Sequence, residues 1–407
     1  MKATKNTVPI LRFKGFSEDY LEYKLGELIN RYSEHNKDEE FGIDDILSLS
    51  SKHGIVDRKE LLEDTYENVN HLNYIKTGIN DFVYGKSISA NYPYGLFKVN
   101  KCRDGLLSTL YFTFKVCDNV SPTYLDYYFS YNNRANNFLK KYVLVGDRYI
   151  TADANFILSG KIFIPQKQEQ ERIVLLLNKV DDKIGQLSKK IKGLQLYKKG
   201  VLQKIFTEEL KFKDEDGSIF PKWEKRKLGD LTYKVGKKNK ENIPYPIYSI
   251  NNQEGFLPQS EQFDGLDSND RGYDISLYKI VNEKTFAYNP ARINVGSIGY
   301  SYDLDKVIVS SLYVCFKTND ELEDLYLLAY LDTDRFNKDI LRYEEGGVRQ
   351  YLFYDNFSQI SIPLPSNNEQ IKIAEFLAVI DKKIKKVNVQ LAQTKHFKKG
   401  LLQQMFV

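Results

Sequence analysis

Two long stretches of the chain follow a heptad pattern. Apolar residues fall at Ile173, Leu177, Val180, Ile184, Leu187, Ile191 and Leu194 in alternating steps of four and three, and resume at Val201 and Ile205. The same phase returns at Ile373, Leu377, Ile380, Ile384, Val387 and Leu391, then at Leu401 and Met405. Such steps are the a and d positions of a left-handed coiled coil. Pro165 and Pro365 stand just before the two runs, where helices start. The pattern predicts two helices of about 38 residues, each ~57 Å long. Lys198 and Lys398 interrupt both seams at matched places, a polar defect able to fix register.

The matched phase reflects an internal repeat. At an offset of 200, Glu169-Gln170 recurs as Glu369-Gln370, Asp181 as Asp381, Lys198-Lys199-Gly200 as Lys398-Lys399-Gly400 and Phe206 as Phe406. Upstream, Lys24-Leu25-Gly26-Glu27-Leu28 returns as Lys227-Leu228-Gly229-Asp230-Leu231 at an offset of 203. Weaker matches join these ends, among them Phe82 with Phe286, Tyr84 with Tyr288 and Gly95 with Gly299. The chain is one globular-then-helical unit written twice. Its predicted parts are a first globular domain at 1–165, a helix at 166–206, a linker at 207–220, a second globular domain at 221–365 and a second helix at 366–407.

The linker decides how the helices pair. About 14 residues reach at most ~46–50 Å, less than the ~57 Å that a parallel pair would require the chain to run back. An antiparallel coiled coil follows, with a pseudo-two-fold axis relating the two halves. The globular segments mix alternating stretches, such as Leu110–Val116 and Val307–Phe316, with short helical ones, so their class is α+β. They resemble one another least over 30–78 and 235–282, where their specific functions should differ.

Composition narrows the class. With 42% hydrophobic and 28% charged residues in 407, the chain is globular and long enough for more than one core. The net charge of +4 announces no partner by itself, because basic footprints are local. No apolar run of ~18 residues exists to span a membrane. Three cysteines and four histidines show none of the close spacings of a zinc site, so no metal site is predicted. An odd cysteine count without an apolar leader points to the cytoplasm.

Catalytic patterns are missing as well. Asn80–Ser87 departs from a phosphate-binding loop by placing Asn80 where glycine belongs. Asn289-Pro290 is followed by Ala291-Arg292, without the aromatic residue of an adenine-methyltransferase motif. Asp381-Lys382-Lys383 lies within a helix and reads as a solvated charge run. No catalytic residue is assigned, and the chain reads as a binding protein. Aromatic residues, 14% of the total, interleave with basic and amide ones in corresponding loops. The candidates for DNA contact are Tyr84, Lys86, Ser87, Tyr94, Arg103, Arg148 and Tyr149 in the first half. In the second half they are Asn289, Arg292, Asn294, Tyr300, Arg349 and Tyr351. Arg and Asn can pair bidentately with base edges, while Tyr and Ser reach phosphates.

In order and content the chain resembles the specificity subunits of type I restriction–modification systems. The likeness rests on Val8–Phe16 (VPILRFKGF), the paired Lys-Leu-Gly-acid-Leu starts, and the Ile164-Pro165…Glu169-Gln170 and Leu364-Pro365…Glu369-Gln370 segments. The resemblance implies two target-recognition domains, each reading half of a bipartite site in double-stranded DNA, held apart by the coiled coil. It also implies docking of two methyltransferase subunits and of restriction motor-nuclease subunits. S-adenosylmethionine, ATP and Mg²⁺ would then belong to those partners, and this chain would need no cofactor. The rival reading is a coiled-coil adaptor that binds proteins without DNA specificity.

Overall fold

A computed structural model describes residues 8–61, 70–86, 88–146, 150–252, 255–262, 265, 267–346 and 350–407. The chain divides into two compact units: residues 1–188 with 389–407, and residues 189–388. This division cuts through both heptad segments, which form helices at Lys167–Phe206 (40 residues) and Asn367–Gln404 (38 residues). The reason is packing. In the first unit Ile173, Leu177 and Val180 share a core with Leu401, Leu402, Met405 and Phe406. In the second, Val201, Leu202, Ile205 and Phe206 share one with Ile373, Leu377 and Ile380. Each unit thus sets the start of one long helix against the end of the other, and the pair runs antiparallel. Among the described residues no helix is long and apolar enough to cross a membrane.

The predicted seam is the buried stripe of both helices. Ile173, Leu177, Val180, Leu187, Ile191, Ile373, Leu377, Ile380 and Val387 are all buried, while Ile184, Ile384 and Leu391 are half-buried. The two seam lysines find carboxylates on the opposite helix. Lys398 Nζ lies 2.6 and 2.8 Å from the Asp181 oxygens, and Lys198 Nζ lies 2.8 Å from Asp381 Oδ1. Asp381 therefore forms an ion pair across the seam while staying exposed, as the solvated charge run of its neighbours suggests.

The α+β heads repeat one four-stranded sheet and one strand pair, and differ in their other strands. In the first unit an antiparallel sheet has the order Ile29–Tyr32, Tyr111–Val116, Phe82–Gly85, Leu96–Val99. The second unit repeats it with Thr232–Val235, Val314–Thr318, Phe286–Tyr288 and Ile298–Tyr300. A strand beside each head's start, Leu21–Lys24 or Glu224–Lys227, pairs with the strand leading into the long helix, Lys161–Ile164 or Ser361–Leu364. Much of the aromatic excess lies in these cores, not on recognition loops. Phe82 stacks on Phe97 at 4.8 Å in one head, and Phe286 on Phe316 at 5.0 Å in the other, all four fully buried.

The repeated Glu-Gln pair bolts each long helix to its head. Gln170 Oε1 accepts from Ser121 N and its Nε2 donates to Pro165 O; Gln370 does the same with Glu323 N and Pro365 O. A further repeat escapes the sequence comparison. Leu11-Arg12-Phe13-Lys14 matches Leu210-Lys211-Phe212-Lys213, and the backbone places both alike. Leu11 N donates to Gln404 O as Leu210 N donates to Lys204 O, and Phe13 and Phe212 pack on their units' cores. The linker at 207–220 is hence fastened to the helix end by apolar side chains and is not a free tether.

Candidate nucleic-acid interface

Both heads build one turn just after the first strand of the sheet. Asn36 Nδ2 donates to Phe41 O at 2.8 Å and its Oδ1 accepts from Phe41 N at 3.1 Å; Asn239 makes the same two bonds, 2.8 and 3.1 Å, with Ile243. Both asparagines are buried, at 0% and 1% exposure, as a polar side chain can be only when its bonds are satisfied. The loops even share a left-handed residue, Glu39 at φ 56° and Asn242 at φ 51°.

What this common frame presents is opposite in charge. In the first head Glu34, Asp38 and Glu40 surround Lys76 Nζ at 3.2, 2.7 and 2.7 Å. Hydrogen bonds that Lys76 donates to Asp38 and then to Glu40 hold its pKa above the ordinary lysine value. In the second head the loop carries Lys237, Lys238 and Lys240, all exposed, with no ion pair among the described residues. A phosphate backbone would be repelled by the first loop and attracted by the second. The signal for this pair was present in the sequence as Asn36-Lys37 and Asn239-Lys240, at the same offset of 203 as the Lys-Leu-Gly starts.

The predicted contact residues separate into three groups. Tyr84 and Tyr300 are corrections: Tyr84 is fully buried with its hydroxyl donating to Tyr94 O at 2.7 Å, and Tyr300 is 8% exposed with its hydroxyl on Asp324 Oδ2 at 2.6 Å. Each fills its head's core beside a hairpin, where no base can reach it. Arg103 is also committed elsewhere. Its guanidinium donates to Asp45 Oδ1 and Asp57 Oδ2, both at 2.8 Å, and to Asp44 O at 2.7 Å, joining three segments of the first head.

The second group stays accessible. Lys86 and Tyr94 flank the hairpin between Phe82–Gly85 and Leu96–Val99, both half-buried. Lys86 Nζ lies 4.2 Å from the Phe112 ring, which also carries Arg31 at 4.9 Å. Burial, and then the charge of Arg31, lower the Lys86 pKa. The equivalent hairpin of the second head carries Asn289, Arg292 and Asn294. Arg292 and Asn294 are exposed, whereas Asn289 is half-buried and accepts from Ala291 N at 3.0 Å to hold the turn. Leu352 N donates to Pro290 O, which brings Tyr351, stacked at 5.6 Å on the exposed Phe353, against that same hairpin. Arg292, Asn294 and Tyr351 thus come together on one head. The third group, Ser87, Arg148, Tyr149 and Arg349, lies outside the described residues.

Comparison with known proteins adds to this geometry. The family model of the type I restriction modification DNA specificity domain matches residues 221–393. A putative type I restriction enzyme MjaX specificity subunit of Methanocaldococcus jannaschii is 29% identical over 255 residues, 60% of this chain and 57% of that protein. The type I restriction enzyme MjaVIII specificity subunit of the same organism is 25% identical over 302 residues, 68% of each chain. In fold the chain is similar to the S subunit of a type I restriction–modification system from M. genitalium, with a TM-score of 0.57, 14% identity and coverage of 98% and 99%. A chain from a type I R-M system studied for its complex assembly and conformational transition gives a TM-score of 0.55, 14% identity and coverage of 95% and 97%.

Proposed function

We propose that this chain is a specificity subunit of a type I restriction–modification system and that it reads a bipartite DNA target with one half-site per head. The observation that carries this reading is a repeated frame with unlike loops. Two heads share strand order and the Asn36/Asn239 turn, yet differ in the charge and side chains they present there. A shared central sheet with different loops suits recognition of two different half-sites. The adaptor reading leaves the exposed lysines of the second head without a role.

The chain contributes recognition, and its partners contribute chemistry. Two methyltransferase subunits would dock on the chain, one on each copy of the repeated unit, because a repeat offers the same partner two similar faces. Restriction motor-nuclease subunits would join them. S-adenosylmethionine, ATP and Mg²⁺ would be bound by those subunits. Exchange of residues 17–165 for the corresponding segment of another such protein, followed by methylation mapping, tests the reading. One half of the recognised sequence is expected to change; altered bases in both halves would refute separate heads.

A further inference from the structure

The internal repeat acts as its own control for a cavity in the second unit. In the first unit, the helix Pro122–Ser130 lays Tyr127 over the seam ion pair. The Tyr127 hydroxyl donates toward Asp181 Oδ2 and Asn178 Oδ1, both at 2.8 Å, and Lys398 Nζ sits 5.2 Å from the ring centroid. The helix Asp324–Leu331 takes the same position in the second unit. Two independent contacts set the correspondence. Ser121 N and Glu323 N, at the heads of the two helices, donate to Gln170 and Gln370. Tyr124 lies 5.1 Å from Phe406 as Tyr326 lies 5.5 Å from Phe206.

In that register Ala329 stands where Tyr127 stands, and Ala378 where Asn178 stands. The ion pair is kept, with Lys198 Nζ 2.8 Å from Asp381 Oδ1 and 3.7 Å from Asp332 Oδ2. The helix carries no counterpart of the Tyr127 phenol, and a space remains beside the ion pair. A cavity of about 410 Å³ is lined by Leu325, Leu328, Ala329 and Ala378, with Lys198, Asp332 and Asp381 as its charged lining. Tyr302 stands at the rim, 56% exposed and edge-on to Tyr300 at 4.8 Å. Among the described residues Tyr302 makes no hydrogen bond to Asp381.

We propose that this cavity binds a phenolic ring from outside the chain. The ring's hydroxyl donates to Asp381, its face lies against the Lys198 ammonium, and its edge fills the space between the leucines and alanines. The first two are what Tyr127 already does in the other unit, and the apolar wall replaces the polar Asn178 with Ala378. A hydroxyl on a carboxylate is a charge-assisted bond, stronger than a neutral one, and an ammonium over an aromatic face adds attraction. A small phenol and a tyrosine side chain of another protein present the same group.

Titration calorimetry of the full chain with p-cresol tests this. Saturable binding at one site is expected, with toluene, which lacks the hydroxyl, about tenfold weaker. Ala329→Tyr should abolish it by restoring the arrangement of the first unit. Ala378→Leu, a smaller filling of the same wall, serves if the first variant does not fold. N-acetyltyrosinamide binding like p-cresol assigns the site to a protein tyrosine; its exclusion while p-cresol binds assigns it to a free phenol. No saturable p-cresol binding, or binding undiminished in the filled variants, would overturn the proposal.

Discussion

Twin glutamates begin the two long helices, and their surroundings predict opposite responses to one substitution. Glu169 is 1% exposed and accepts from Arg12 Nε at 2.8 Å and Nη2 at 2.7 Å, a bidentate pair. Glu169→Gln removes the charge and turns an amide N–H₂ toward the guanidinium. Removing one partner of a buried pair costs about 3–5 kcal/mol, and the 13% exposure of Arg12 places this pair near the lower end, ~3 kcal/mol. For a unit of this size that is a fall of roughly 6–12 °C in its melting temperature. Glu369 is 3% exposed, but its hydrogen-bond partner is neutral, Trp223 Nε1 at 2.9 Å. Burial raises its carboxyl pKa more than the Trp223 bond lowers it.

A carboxyl whose folded pKa is raised favours the folded state fully below its unfolded pKa, about 4.3, and that contribution is lost as pH rises through the folded value. At neutral pH the buried charge at Glu369 is therefore a cost. Glu369→Gln keeps an acceptor for Trp223 and removes the charge, so it should stabilise by on the order of 1 kcal/mol at pH 7.5 and by almost nothing near pH 4. Differential scanning calorimetry of both single variants between pH 4 and 8 gives the comparison. Equal losses for the two variants at pH 7.5 would refute the reasoning, because Glu169 has a bidentate arginine as its charged partner and Glu369 has a neutral indole.

Other outcomes follow from the same contacts. Replacing Lys237, Lys238 and Lys240 with alanine should reduce the slope of log affinity against log salt by about 3 and weaken all DNA sequences alike, measured in the assembled complex. Lys398→Met should cost about 1–2 kcal/mol by chemical denaturation, since it strands a half-buried Asp181, whereas Asp181→Leu with Lys398→Leu should recover much of the loss. Arg103→Ala should lower the stability of the first head by about 2 kcal/mol without changing which phosphates or bases are contacted, because its guanidinium is occupied by Asp45 and Asp57. Deleting one heptad from each long helix shortens each by ~10 Å, and methylation mapping should show a spacer reduced by up to ~3 base pairs.

Sequence alone determined the repeat, the two helices, their seam and the antiparallel pairing. Those properties are periodic or additive along the chain: heptads read in steps of three and four, and a linker's reach follows from its length. It also singled out the Glu-Gln pairs and the seam lysines, without revealing what they bind. Tertiary structure decided the rest, since a side chain's role depends on neighbours remote in the chain. Arg103 reads as a free base-reader until Asp45, 58 positions away, closes on it. Tyr84 and Tyr300 share their composition and spacing with exposed aromatics, and only the packing of sheet against helix buries them. The same holds for the empty place opposite Tyr127. Ala329 and Ala378 are unremarkable helix residues 49 positions apart, and the hole they leave exists only once the head and the long helix are packed together.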